Sequence, residues 1–179
     1  MEYITTILDK DIFPNKESPL VDEWTLRKTV KIIIKNNDGK IALVTNPVHN
    51  CFLLPGGGID EDEEIITAAN RESREEALCS ITKTEIFGAV EEYRARDRKR
   101  YETYGVFAYI RETINEDLRT ENEKKNGLNV IWCSLEEAEE KFNNQEILLR
   151  EGKIDFYNTG FNIVRDHILF KTAIKKGLI

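Results

Sequence analysis

The run Pro55-Gly56-Gly57-Gly58 constrains this chain more than any other stretch, because no helix or strand passes through it and the apolar pattern differs on its two sides. Upstream, from Thr25 to Val44, β-branched apolar residues dominate: Val30, Ile32, Ile33 and Ile34, then Ile41, Leu43 and Val44. Asn36-Asn37-Asp38-Gly39 interrupts them, which predicts two strands joined by an Asp-Gly turn. A loop with Pro47 and His49 then leads to Phe52-Leu53-Leu54. Downstream the period changes. From Glu63 to Cys79 the residues Ile66, Ala69 and Ala77 fall on one helical stripe, with Asp60 to Glu64 placing negative charge where a helix N-terminus favours it.

Ile81 to Tyr93 and Tyr101 to Ile110 read as two long strands around the basic turn Arg94 to Arg100, a hairpin. Arg111 to Asn126 is polar and reads as a loop, and Leu128 to Cys133 as a strand. Ser134-Leu135-Glu136-Glu137 opens a helix with a serine cap and a glutamate three residues on. Phe161 to Leu178 has the spacing of a closing helix. Strands mixed with two or three helices predict an α/β or α+β sandwich.

At 179 residues the chain suffices for one good core and is too short to argue for two, so one domain is expected over 1–179, with residues 1–24 an N-terminal extension packed on it. The net charge of -7 would repel a duplex phosphate backbone. It leaves room for a small anionic substrate, since a divalent cation held by carboxylates inverts the local field. Cys51, Cys79 and Cys133 are odd in number and lack a C-x-x-C spacing, so neither a disulfide framework nor a thiolate zinc site is expected. With no secretory signal and no apolar run of membrane-spanning length, the expected location is cytoplasmic.

The chemistry concentrates between Gly57 and Cys79. On a helix, Glu72, Glu75 and Glu76 share a sector about 100° wide. Like charges so spaced destabilise a helix by roughly 0.2 to 0.5 kcal/mol per pair, a sign that a divalent cation would reverse. Oxygen-only ligands select hard cations, and Mg²⁺ held by a few carboxylates with phosphate completing its shell is the usual arrangement. Arg71, one turn before Glu75, can pair with a carboxylate and fix its rotamer. Gly56, Gly57 and Gly58 let the backbone approach a metal or phosphate without a Cβ in the way.

These residues resemble the Nudix box, G-x5-E-x7-R-E-U-x-E-E-x-G-U with U aliphatic. Gly57, Glu63, Arg71, Glu72, Glu75 and Glu76 all fall at its spacing, roughly a one-in-a-million coincidence per window on base composition. Ser73 replaces an aliphatic residue, Leu78 the late glycine, and Cys79 fills the final apolar position; these departures touch helix packing and its C-cap. The resemblance implies the family's α/β/α sandwich with a mixed β-sheet, and metal-dependent hydrolysis of a phosphoanhydride bond in a nucleoside diphosphate linked to another group. It implies Glu72, Glu75 and Glu76 as ligands of Mg²⁺, with Mn²⁺ as a substitute, and Gly56 as a carbonyl ligand. Glu63 and Arg71 become orienting residues, Glu72 alternates between ligand and base, and Gly57 and Gly58 lie against substrate. The partner is then a small-molecule nucleotide, neither duplex nucleic acid nor a membrane, and a homodimer is compatible with it.

The box does not specify the attached group. A nucleoside triphosphate is preferred, because the family's marker for ADP-ribose, a proline about sixteen residues after the box, is replaced by Ala95. ADP-ribose, a nucleotide sugar, or a nucleotide-sensing module without catalysis are the alternatives; the last would lose box carboxylates, and none is lost. A further carboxylate is sought in the loop before Leu128, where Glu123 is chosen over Glu121 as general base or extra metal ligand, with Glu91 and Glu92 as runners-up. A basic hairpin tip such as Arg94 to Arg100 is more often solvated than bound to phosphate. His49 and His167 are too isolated for a zinc site, and Trp24, Trp132, Tyr93 and Tyr104 are more often core than base-stacking.

Overall fold

The computed structural model describes residues 2–116, 121–125 and 127–179, without the side chains of Asn122 and Glu123. Its strands are β1 (Tyr3–Leu8), β2 (Thr25–Lys35), β3 (Ile41–Asn46), β4 (Cys51–Leu53), β5 (Cys79–Arg94), β6 (Lys99–Thr113) and β7 (Asn129–Cys133). The helices are α1 (Asp9–Ile12), α2 (Ile65–Glu76), α3 (Glu121–Lys125), α4 (Leu135–Arg150) and α5 (Tyr157–Lys175). Strand order is β1-β5-β6-β2-β3-β4, with β7 also paired to β3. The β1–β5 and β2–β6 pairs are parallel and the others antiparallel, so the sheet is mixed.

Burial on both faces explains the unbroken isoleucine run of β2, since a strand covered by helices on each side needs no polar alternation. Val30, Ile32 and Ile34 join Ala68, Ala69, Val106 and Ala108 in the cluster under α2. Ile33 points the other way, into the cluster that holds Leu43, Phe142, Phe161, Leu169 and Phe170 from β3, α4 and α5. The result is an α/β/α sandwich.

β2 and β3 share only one rung, Lys35 opposite Ile41, and then part. The segment after β4 takes the vacated edge of β2: Ile32 N donates to Pro55 O and Val30 N to Gly57 O, both at 2.9 Å, and Ile59 N to Lys28 O at 3.1 Å. The glycine run is thereby a backbone ledge along β2, against the C-terminal half of the box helix.

Several boundaries differ from the sequence expectation. The box helix begins at Ile65, and Asp60 to Glu64 form the turn before it. Arg111 to Thr113 continue β6, and Glu121–Lys125 form a short helix within the stretch read as a loop. The basic turn is tighter than expected, because the strands reach Arg94 and resume at Lys99, with Arg98 in the left-handed region at φ 54°. The closing helix starts at Tyr157. The α4 cap follows its sequence: Ser134 Oγ accepts from Glu137 N at 3.1 Å, and Ser134 N donates to Glu137 Oε2 at 2.7 Å.

Leu78 stands where the motif has glycine, and its backbone keeps the left-handed conformation at φ 51°. The turn out of α2 thus dictates the conformation, and the leucine carries a cost of roughly 1 kcal/mol for it.

The N-terminal residues contribute an edge strand, and Ile7, 2% exposed, is part of the α5-side core. Ile7→Ala should lower unfolding free energy by about 2 to 4 kcal/mol while keeping a single urea transition. Separate transitions, or a loss under about 1 kcal/mol, would show that this strand folds apart from the rest.

Candidate functional site

Arg71 organises the site, with all five of its N–H donors matched to acceptors. Nε donates to Glu63 Oε1 at 3.1 Å and Nη2 to Glu63 Oε2 at 2.9 Å, the paired geometry of a guanidinium on a carboxylate. Nη2 also reaches Gly58 O at 2.8 Å, and Nη1 reaches Glu72 Oε1 at 2.7 Å and Glu75 Oε2 at 3.3 Å. The guanidinium therefore ties the turn before α2, the glycine ledge and two carboxylates of the helix into one unit. It holds the Glu63 carboxyl below the usual glutamate range. Burial pushes the Glu72 carboxyl up, against the pull of the Arg71 and Lys31 charges.

The ledge meets the helix from below. Gly56 N donates to Glu76 Oε2 at 2.7 Å, and the Gly56 carbonyl accepts from Lys31 Nζ at 2.5 Å. Gly56 has φ 131°, and a Cβ there would lie 2.2 Å from Val30 O, so only glycine fits against β2. At Gly57 a Cβ would lie 2.6 Å from Glu72 Oε1, so this glycine makes the space in which the Glu72 carboxylate sits.

Glu63, Arg71, Glu72, Glu75, Glu76, Gly56, Gly57 and Gly58 are thus brought together, as their spacing predicts. The carboxylates do not converge on a point, and among the described residues no three acidic, histidine or cysteine side chains form a ready-made cation site. Arg71 and the Gly56 amide occupy oxygens that would otherwise turn inward. The donors nevertheless fit a hard divalent cation: all are oxygen, and buried Glu72 is a carboxylate whose charge an added cation would stabilise.

The remaining candidates disperse. The Glu123 side chain lies outside the described residues, and Glu121 is exposed beside Lys124. Glu92 is fully buried on the α5 side of the sheet, paired with Arg94 and Arg165, and Glu91 pairs with Arg100. His167 is a core residue bonded to Glu146 and stacked on Phe142. Trp24 packs edge-on against Tyr93, Trp132 packs on the α2-side core, and Tyr104 is buried.

The basic turn departs from the expectation of a solvated tip. Arg94 is 2% exposed and donates to Glu92, to Asn158 Oδ1 at 3.0 Å and to Asn162 Oδ1 at 2.9 Å, with Tyr101 and Phe161 rings beside its guanidinium. Asn158 and Asn162 line a cavity of about 510 Å³ with Leu53, His49, Arg96 and Asp97. Because arginine donates only, it fixes both asparagine oxygens toward itself and turns their amino groups away. Leu53, on one wall of the cavity, lies three residues before Gly56, a span of no more than about 11 Å along the chain. Sequence reasoning missed this cavity; the i,i+4 pair Asn158 and Asn162 at the start of α5 was its only local trace.

The sequence matches the NUDIX domain over residues 25–151, and the chain belongs to that family. The fold agrees: a NUDIX hydrolase from Nitrosomonas europaea superposes with a TM-score of 0.56 at 20% identity, over 73% of this chain and 91% of that one. A MutT protein from Bacillus halodurans gives 0.51 at 15% identity, over 69% and 80%. No curated protein matches the sequence. The chain is a Nudix hydrolase, a class that hydrolyses nucleoside diphosphate derivatives and generally uses divalent metals. No described helix is long and apolar enough to cross a membrane.

The two glycines should separate under substitution. Gly56→Ala forces a Cβ into backbone and should cost about 2 kcal/mol or more of stability. Gly57→Ala presses only on the end of Glu72, so it should keep the fold and lower turnover at least about tenfold. Equal loss of stability in both variants, measured by thermal melting, would contradict this division of labour.

Proposed function

We propose that the chain is a Mg²⁺-dependent pyrophosphohydrolase of nucleoside triphosphates. The observation that carries the reading is the Arg71-centred assembly, which presents the carboxylates of one face of α2 beside a glycine ledge. Glu72, Glu75 and Glu76 would hold the cation, whose chemistry when bound is neutralisation of charge on the phosphate oxygens.

The protein's own groups supply the rest. Water attacks one phosphorus, the anhydride P–O bond breaks, and pyrophosphate leaves a nucleoside monophosphate. A carboxylate takes the water's proton. Glu72 is placed for that task, its carboxylate lying against Gly57 of the ledge; Glu123 is the other candidate. Arg71 and Glu63 keep Glu72 and Glu75 oriented, which removes the cost of ordering them when substrate arrives. The cavity, with a volume in the usual range for small-molecule sites, takes the nucleoside, and the asparagine amino groups offer donors to a base. Ala95, where a proline marks ADP-ribose hydrolysis, favours the triphosphate over ADP-ribose.

A panel of nucleoside triphosphates, ADP-ribose and nucleotide sugars with Mg²⁺ tests the substrate class. Glu75→Gln and Glu76→Gln should each lower kcat at least about 10²-fold while melting like wild type, since a lost ligand removes several kcal/mol of charge stabilisation. Near-wild-type turnover by either at saturating Mg²⁺ would remove it from the metal-binding set.

A further inference from the structure

Asp9 is a buried carboxylate, 8% exposed, and among the described residues no cation pairs with it. Burying such a group is costly unless donors surround it. Its donors are neutral: the Tyr157 hydroxyl at 2.6 Å and the Ala95 amide at 3.3 Å, both on Oδ1. The Tyr157 oxygen in turn accepts from the Arg96 amide at 3.2 Å. Burial pushes the Tyr157 hydroxyl above the usual tyrosine range and the bond to Asp9 adds to it, so Tyr157 keeps its proton and remains the donor. Phe13, just after α1, stacks on the Tyr157 ring with centroids 5.7 Å apart.

Ala95 follows Arg94 in the chain, Tyr157 precedes Asn158, and Arg94 and Asn158 are themselves bonded at 3.0 Å. Asp9 therefore closes a ring through the immediate neighbours of both partners. We propose that Asp9 is a positioning residue for the cavity: by joining Ala95 to Tyr157 it sets the spacing of the hairpin tip and α5, and with it the orientation in which Arg94 holds Asn158 and Asn162 toward a nucleoside. The inference rests on the reading that the cavity takes the nucleoside.

Asp9 does not itself line the cavity, whereas Arg96, Tyr157, Asn158 and Asn162 do. It acts on substrate only through them. A drift of about 0.5 Å between hairpin and helix would bring the 3.0 Å bond from Arg94 to Asn158 to the edge of hydrogen-bonding range, and the amide would be free to turn its oxygen into the cavity. A carboxylate is the stronger acceptor for resisting that drift. Asp9 and Tyr157 both lie outside residues 25–151, which match the NUDIX domain, so this clamp is an addition to the matched region.

Steady-state kinetics with Mg²⁺, on whichever nucleoside triphosphate the wild type cleaves fastest, test the clamp. Tyr157→Phe and Asp9→Leu should each raise KM at least about fivefold and leave kcat within about twofold, because they disturb binding and not the carboxylates of α2. Asp9→Asn keeps an oxygen acceptor and should hold KM within about twofold of wild type. The double variant should be no worse than the worse single one, since both break the same link. Tyr157→Phe removes one oxygen atom and decides the matter if Asp9→Leu fails to fold. An unchanged KM in Tyr157→Phe, or an effect confined to kcat or to the melting temperature, overturns the inference. So does Asp9→Asn as impaired as folded Asp9→Leu. Asn162→Ala separates this result from failure of the underlying reading: a raised KM there beside an unchanged KM in Tyr157→Phe sinks the clamp alone. A wild-type KM in Asn162→Ala takes the nucleoside out of the cavity and defeats both.

Discussion

The guanidinium of Arg71 makes five hydrogen bonds to four residues, and the rest of the site takes its shape from that saturation. Four carboxylates gathered around one helix repel one another, and left alone they would turn to solvent. A planar cation with every donor used fixes where Glu63, Glu72 and Glu75 can be, and its bond to Gly58 O fixes the helix relative to the ledge. The acidic face is consequently dense in negative charge yet ordered, a state suited to receiving a cation and a phosphate together.

That arrangement depends in turn on the sheet. β2 is buried on both faces and pairs with β6 along its whole length on one edge, while the other edge is released by β3 after a single rung. The freed edge needs backbone partners, and the glycine segment supplies them at a distance that excludes a Cβ from Gly56. The requirement to satisfy β2's amides thus places the ledge, and the ledge places Glu72 and Glu76. On the opposite side of the sheet, Arg94 and Arg165 bury two cations with Glu92 and Asp166 and set the orientation of the asparagines that line the cavity.

What the sequence disclosed and what it withheld divide along physical lines. The box was legible because helical geometry converts spacing directly into proximity: Arg71, Glu72, Glu75 and Glu76 are neighbours on α2 whatever surrounds them, and Glu63 lies in the turn that leads into it. The isoleucine run of β2 and the capping box at Ser134 were legible for the same local reason. Lys31 was not, although a lysine amid isoleucines was a visible anomaly, because its partners are set by the pairing of β2 with a segment more than twenty residues on. Arg94 was misread as part of a solvated tip, since its burial depends on α5, over sixty residues away. The strand at Tyr3–Leu8 was overlooked because an edge strand earns its place from β5, and nothing nearby in sequence indicates that pairing.

The central claim is that this assembly cleaves a nucleotide anhydride with a divalent cation. The direct measurement is ³¹P NMR of a nucleoside triphosphate incubated with the purified chain, with and without Mg²⁺. The account predicts a nucleoside monophosphate and pyrophosphate appearing together only when Mg²⁺ is present. Binding of the nucleotide without turnover at any Mg²⁺ concentration, or undiminished cleavage in the presence of a chelator, would contradict it.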